Sequence, residues 1–150
     1  MREAIRLSLA MMRRGQGGPF GAVVVRGGRI VGRGFNQVTS TQDPTAHAEV
    51  VAIRAACLRL KRFELSDCEL YSSCEPCPMC LAAIYWARLR CVYYANTRRD
   101  AAKIGFDDAA FYREMRLAPA RRKLPMKRMM RPEALKAFAE WQAKPDKVLY

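Results

Sequence analysis

A three-layer α/β/α sandwich is the fold class this sequence predicts, and three observations predict it. β-prone runs alternate with helical runs along the chain, the pattern that covers both faces of a sheet with helices. The first two β-prone runs meet at Gly27-Gly28, a two-residue hairpin signal in which glycine accepts positive φ. No internal repeat, low-complexity tract or linker divides the 150 residues, and 51% of them are apolar, enough for one core in a single domain over 1–150.

The elements follow in order. Residues 4–14 place Ile5, Leu9 and Met12 at helical spacing, with Arg6, Arg13 and Arg14 on other faces, which predicts an amphipathic helix. Gln16-Gly-Gly-Pro ends it. Phe20–Val25 and Arg29–Phe35 form the predicted hairpin, and Asn36 leaves it for a polar loop over 37–44. Thr45–Cys57 reads as a second helix with Thr45 as its cap. Glu69–Ser73 is a third strand, Pro78–Ala87 a third helix with proline in its first turn, and Arg90–Ala95 a fourth strand. A helix over Asp107–Met115, an edge strand over Leu124–Met130 and a last helix over 133–143 complete the chain. Pro125 keeps the edge strand from a central place.

Composition narrows the class. No apolar run approaches the roughly 20 residues a membrane helix needs, and the N-terminus has no apolar stretch of signal-peptide type. A cytoplasmic protein is expected. Six cysteines in such a chain point to metal or catalysis before disulfides, and Cys74, Cys77 and Cys80 crowd at three-residue spacing. Cys57, Cys68 and Cys91 lie in apolar patterns and read as small core residues. The 27 basic residues exceed the 14 acidic ones by 13. That excess admits a nucleic-acid partner. It is spread along the chain, and its densest cluster, 121–131, has no interleaved aromatic ladder, which favours solvated surface over strand binding.

The chemistry sits in two short segments. His47-Ala-Glu49 and Pro76-Cys77-Pro-Met-Cys80 make the pattern His-x-Glu … Pro-Cys-x-x-Cys, the signature of zinc-dependent base deaminases. Cys77 and Cys80, three apart at a helix start, share one face, and free N–H groups there favour thiolates. His47 adds a third ligand from another helix and leaves a fourth position for water, the mark of a catalytic zinc. Zinc lowers the pKa of that water to about 7, so hydroxide forms at neutral pH. Glu49 reaches the same point if the helix begins near His47, and it then moves protons from the water to the ring and the departing amine. Cys74 would close the site structurally, but it falls at a strand end ahead of the helix that presents the other two.

Further segments carry a closer likeness. Gly17-Gly-Pro-Phe-Gly-Ala, Asp43-Pro-Thr-Ala-His-Ala-Glu-Val, Ser73-Cys-Glu-Pro-Cys-Pro-Met-Cys, Ala83-Ile-Tyr-Trp-Ala-Arg and Gly105-Phe-Asp-Asp resemble the bacterial guanine deaminases of the cytidine deaminase fold. The likeness runs from about residue 15 to the terminal tyrosine. It implies a mixed five-stranded sheet between helices, one zinc per subunit, and a homodimer whose C-terminal segment, from about 131 to 150, crosses to the neighbour's site. It implies hydrolysis of guanine to xanthine and ammonia by attack of zinc hydroxide at C2. Asn36 would bond the polar edge of the purine, and Asp108 would hold the 2-amino group and share in proton transfer. Phe20, Ala48 and Tyr150 would line and close the pocket.

Simpler assignments stand beside these. Asn36 is also a turn residue by position, Asp108 a helix cap, Phe20 core and Tyr150 a frayed end. Asn96-Thr-Arg-Arg-Asp and the basic segment 121–131 are more basic than the resemblance leads one to expect. A guanosine or triazine (ammeline-type) deaminase would use the same site. A tRNA adenosine deaminase fits the charge, and a silent zinc protein that binds RNA has no use for Glu49.

Overall fold

The computed structural model describes residues 1–149. The chain forms two compact units, Met1–Asp108 and Ala109–Tyr150. The first holds α1 (Arg2–Arg13), β1 (Gly21–Arg26), β2 (Arg29–Phe35), α2 (Val38–Thr41), α3 (Ala48–Leu60), β3 (Cys68–Cys74), α4 (Pro78–Trp86), β4 (Cys91–Asn96) and α5 (Arg98–Lys103).

The sheet order is β2-β1-β3-β4. β1 runs antiparallel to β2 and to β3, and β3 runs parallel to β4. The β1–β2 turn is Gly27-Gly28, with φ of 52° and 75°, as a primed hairpin turn demands. Side chains alternate across the sheet. Ala22 and Val24 of β1, Leu70 of β3, Ala48, Ala52 and Ala56 of α3 and Ile84 of α4 form one buried cluster. Gly21, out of phase with Ala22, faces Ala4 and Leu7 of α1 on the opposite side. Helices therefore lie on both faces, and the three layers are those the alternation predicts.

One close approach sets the position of the second predicted helix. A Cβ on Gly34 would lie 2.1 Å from the Ala48 carbonyl oxygen, and one on Gly32 would lie 2.3 Å from that of Ala52. The backbone of α3 thus rests on β2 with only alanines and glycines between them. Gly34→Ala forces strand and helix apart beside His47. It is expected to destabilise the fold by about 2–3 kcal/mol, the usual cost of overpacking, and to weaken metal binding. Thermal unfolding with and without zinc measures both.

The second unit contains α6 (Ala109–Arg116), a 3-10 turn (Pro119–Arg121) and α7 (Arg131–Ala143). The Lys123 backbone N–H donates to Glu114 at 2.7 Å, and none of the residues 109–149 is buried.

Several expectations need correction. Among the described residues the sheet has four strands, not five. Residues 124–130 form no strand: Leu124-Pro-Met-Lys-Arg-Met-Met lacks a two-residue period, and Pro125 has no N–H for a ladder. Thr45 does not cap α3. Its N–H and hydroxyl both donate to Asp43 Oδ1, at 2.8 and 2.6 Å, and the helix starts three residues later with His47 at the N-cap. The helix expected from Asp107 begins at Ala109. α5 goes unread in the basic stretch 96–100, although Thr97 and Asp100 form a capping box.

Candidate active site

Two helix starts build the site. His47 is the N-cap of α3, with φ −69° and ψ 153°, and Cys77 is the N-cap of α4, with φ −66° and ψ 169°. Both hold extended backbone, and neither helix has a side-chain cap bond. Each helix start thus leaves N–H groups and the positive end of its dipole without a capping side chain. Cys80 stands three residues into the α4 segment, and Pro78 occupies its first position without the loss of a needed donor.

His47 Nδ1 lies 3.6 Å from Cys77 Sγ and 3.5 Å from Cys80 Sγ. The three ligand atoms all fall within 4.8 Å of one another. Tetrahedral bonds of about 2.3 Å to sulfur and about 2.05 Å to nitrogen set such atoms roughly 3.6 Å apart. The two histidine–sulfur spacings are those of a tetrahedral zinc, and the donor set fits that metal. Its protonation fits too. The Cys80 thiol bonded to Cys77, with His47 beside it, holds the Cys77 thiol down to about 4. The same bond, burial and the charge of Glu49 push Cys80 up. The sulfur pair shares one proton, which a metal would release on binding. Cys74 stays apart: its Sγ faces the Thr97 carbonyl at 3.7 Å, and burial raises its thiol to about 11.

Glu49, two residues beyond the α3 N-cap, is 6% exposed. Its Oε1 accepts from the Ser72 hydroxyl at 3.1 Å, and its Oε2 from the Cys80 thiol at 3.5 Å. Burial is the main influence on this carboxyl and pushes its pKa up. A carboxyl with a raised pKa beside a metal-type cluster is suited to take and return protons.

The remaining predicted residues fall into place differently. Asn36 is buried at the end of β2. Its Oδ1 accepts from the N–H of Gly18 at 3.2 Å and of Val38 at 3.3 Å, which leaves its NH2 to donate. A Cβ on Gly17 would lie 2.0 Å from the Asn36 carbonyl oxygen, so only glycine lets this loop close over Asn36. Asp108 is half-buried. Burial raises its pKa, the Cys77 charge adds to the rise, and Arg98 opposes it, so its carboxyl sits within electrostatic reach of the metal-type cluster. Phe20 packs on the core and also meets Phe106 edge-on, ring centres 4.9 Å apart. Ala48, the first residue of α3, is fully buried. Tyr150 lies outside the described residues.

The sequence pattern of the cytidine and deoxycytidylate deaminase zinc-binding region matches residues 1–96. The chain belongs to this deaminase family. Guanine deaminase of Bacillus subtilis (strain 168) is 49% identical to it over 142 residues, 95% of this chain and 91% of that protein. The X-ray structure of guanine deaminase from Bacillus subtilis superposes with a TM-score of 0.96 at 48% identity, covering 99% of this chain and 95% of the other. A guanine deaminase from Nitrosomonas europaea superposes at 0.68 and 33% identity over 71% of this chain and 62% of its own. The tRNA-specific adenosine deaminase of Aquifex aeolicus is 44% identical over 77 residues, 51% of each protein.

Two residues near the deaminase site escape sequence reasoning. Ser72, 1% exposed in the inner strand β3, was signalled only as a hydroxyl in a strand otherwise suited to the core. Phe106, which stands against Phe20 and Gly18, lay inside the quoted segment Gly105-Phe-Asp-Asp without a role of its own.

Proposed function

We propose that this deaminase hydrolyses guanine to xanthine and ammonia. The carrying observation is a buried glutamate beside a His-Cys-Cys cluster of zinc dimensions, in a chain that follows a guanine deaminase over nearly its whole length. His47, Cys77 and Cys80 would hold one zinc per subunit. When bound, zinc supplies Lewis acidity that brings the pKa of water to about 7.

The chain's own residues do the rest. Glu49 takes a proton from the water and passes it to a ring nitrogen as the oxygen bonds to C2; it then takes the remaining hydroxyl proton and delivers it to the amine as the C2–N bond breaks. Asn36, its oxygen already bonded, donates to an acceptor on the purine edge. Asp108 holds the 2-amino group and shares in its protonation. Phe20, with Phe106, forms a wall for the ring, and the Ala48 backbone lies beside it. Tyr150 closes the pocket from a C-terminal segment, from about 131, exchanged within a homodimer. Exposed Tyr85 on α4 and Phe138 on α7 support this assembly, since burial of such aromatic surface is favourable. A cytoplasmic setting accords with the finding that no described helix is long and apolar enough to cross a membrane.

Ammonia release from guanine, guanosine, adenine, cytosine and ammeline, each given to zinc-loaded protein, tests the substrate. Release from guanine alone is expected. Release from guanosine or ammeline instead would keep the site and refute the base. Release only from a tRNA anticodon loop would make the charge of +13 part of the substrate site and overturn the proposal.

A further inference from the structure

A glutamate side chain has several staggered rotamers, and only some would aim the Glu49 carboxyl at the metal-type cluster. A residue that moves protons among three atoms must be held in register, because misplacement by about 1 Å can cost a factor of about 100 in rate. The neighbouring metal ligands do not anchor it, since the bond from Cys80 needs the proton that a metal displaces. Ser72 is different. It projects from β3 on the face of Ala22 and Leu70, is 1% exposed, and donates to Glu49 Oε1 at 3.1 Å. Its hydroxyl has a single proton to give, and Glu49 receives it. Among the described residues the other hydrogen bond of that hydroxyl is a long one, 3.5 Å, from the Cys74 N–H.

We propose that Ser72 is a positioning residue for Glu49: it fixes Oε1 and so leaves Oε2 as the oxygen that carries protons. The division of labour follows from the geometry. One carboxylate oxygen is tied to a rigid inner strand, and the other faces Cys80. The proposal rests on the reading of Glu49 as the proton carrier.

The test uses Ser72→Ala, Ser72→Val and Ser72→Thr in the full zinc-loaded chain, with Glu49→Gln as control. Loss of one hydrogen bond that acts on the reacting state is expected to lower kcat about 10- to 100-fold with KM within about twofold. Threonine keeps the hydroxyl and should restore kcat to within a few-fold. Zinc content and the cobalt-substituted absorption spectrum should match wild type in all three. A purely structural Ser72 would instead shift that spectrum or the melting temperature, leave kcat per zinc unchanged, and overturn the proposal. Valine and threonine have the same shape, so the pair separates loss of the hydroxyl from the added bulk at this buried site. If Glu49→Gln is inactive while Ser72→Ala turns over at the wild-type rate, the positioning role alone is refuted. If Glu49→Gln is active, the proton-carrier reading falls and takes this inference with it.

Discussion

Glu49→Gln is expected to keep the fold and the zinc and to lose guanine turnover by about three to four orders of magnitude. General acid–base groups contribute roughly 10²- to 10⁴-fold, and Glu49 is assigned every proton transfer in the sequence, which places it at the upper end. Glutamine keeps the volume and can still accept from Ser72. It cannot take a proton from water or return one to the departing amine. Stability should move the other way. Burial raises the Glu49 pKa, so folding favours its protonated form. The ionised form therefore costs stability at pH values above the ordinary carboxyl range, and the amide removes that cost. Metal-free Glu49→Gln should melt at or above the temperature of metal-free wild type near neutral pH, and the advantage should vanish as pH falls below the ordinary carboxyl range. A stabilised but inactive variant is the pattern of a residue kept for chemistry at the expense of stability. Activity above about a tenth of wild type would refute the role.

The clustering of His47, Cys77 and Cys80, with Glu49 beside them, was legible because it is written in local spacing. His47-x-Glu49 and Cys77-x-x-Cys80 each lie at one helix start, so a few residues fix their geometry. The hairpin was legible for the same reason, at Gly27-Gly28. What escaped depends on tertiary partners. Alternation from Leu70 puts Ser72 on the face of α3, but its partner Glu49 is 23 residues away, and nothing local to the strand shows that a carboxyl meets it. Thr45 offered good capping chemistry, but the turn at Asp43 satisfied it first. The edge strand expected over Leu124–Met130 failed because its apolar residues have no two-residue period and Pro125 has no N–H for a ladder. Asn36 was placed by motif; one donor to its amide oxygen, Val38 N–H, is two residues away, but the other, Gly18 N–H, comes from 18 residues earlier, beyond any local window.

Cys77→Ala is expected to abolish zinc retention and the stability that depends on it. Cys77 and His47 are the N-caps of α4 and α3, elements joined otherwise through the buried cluster around Ala52 and Ile84. A metal between them binds the folded chain and not the unfolded one, so it stabilises by mass action. At zinc about a thousandfold above its dissociation constant the effect is about 4 kcal/mol, which for a chain of this size raises the melting temperature by roughly 8–16 °C. Wild type should show that gap between zinc-loaded and chelator-treated samples, and Cys77→Ala should melt at one temperature in both. Cys74→Ala separates ligation from general cysteine chemistry. Its sulfur faces the Thr97 carbonyl, away from the cluster, so this variant should keep the zinc and the gap while losing only the packing of one small side chain, about 1 kcal/mol. Zinc content measured across the pair decides between a three-ligand site with an open position and a closed structural one. Loss of zinc in both variants would mark four protein ligands and leave Glu49 no water to act upon.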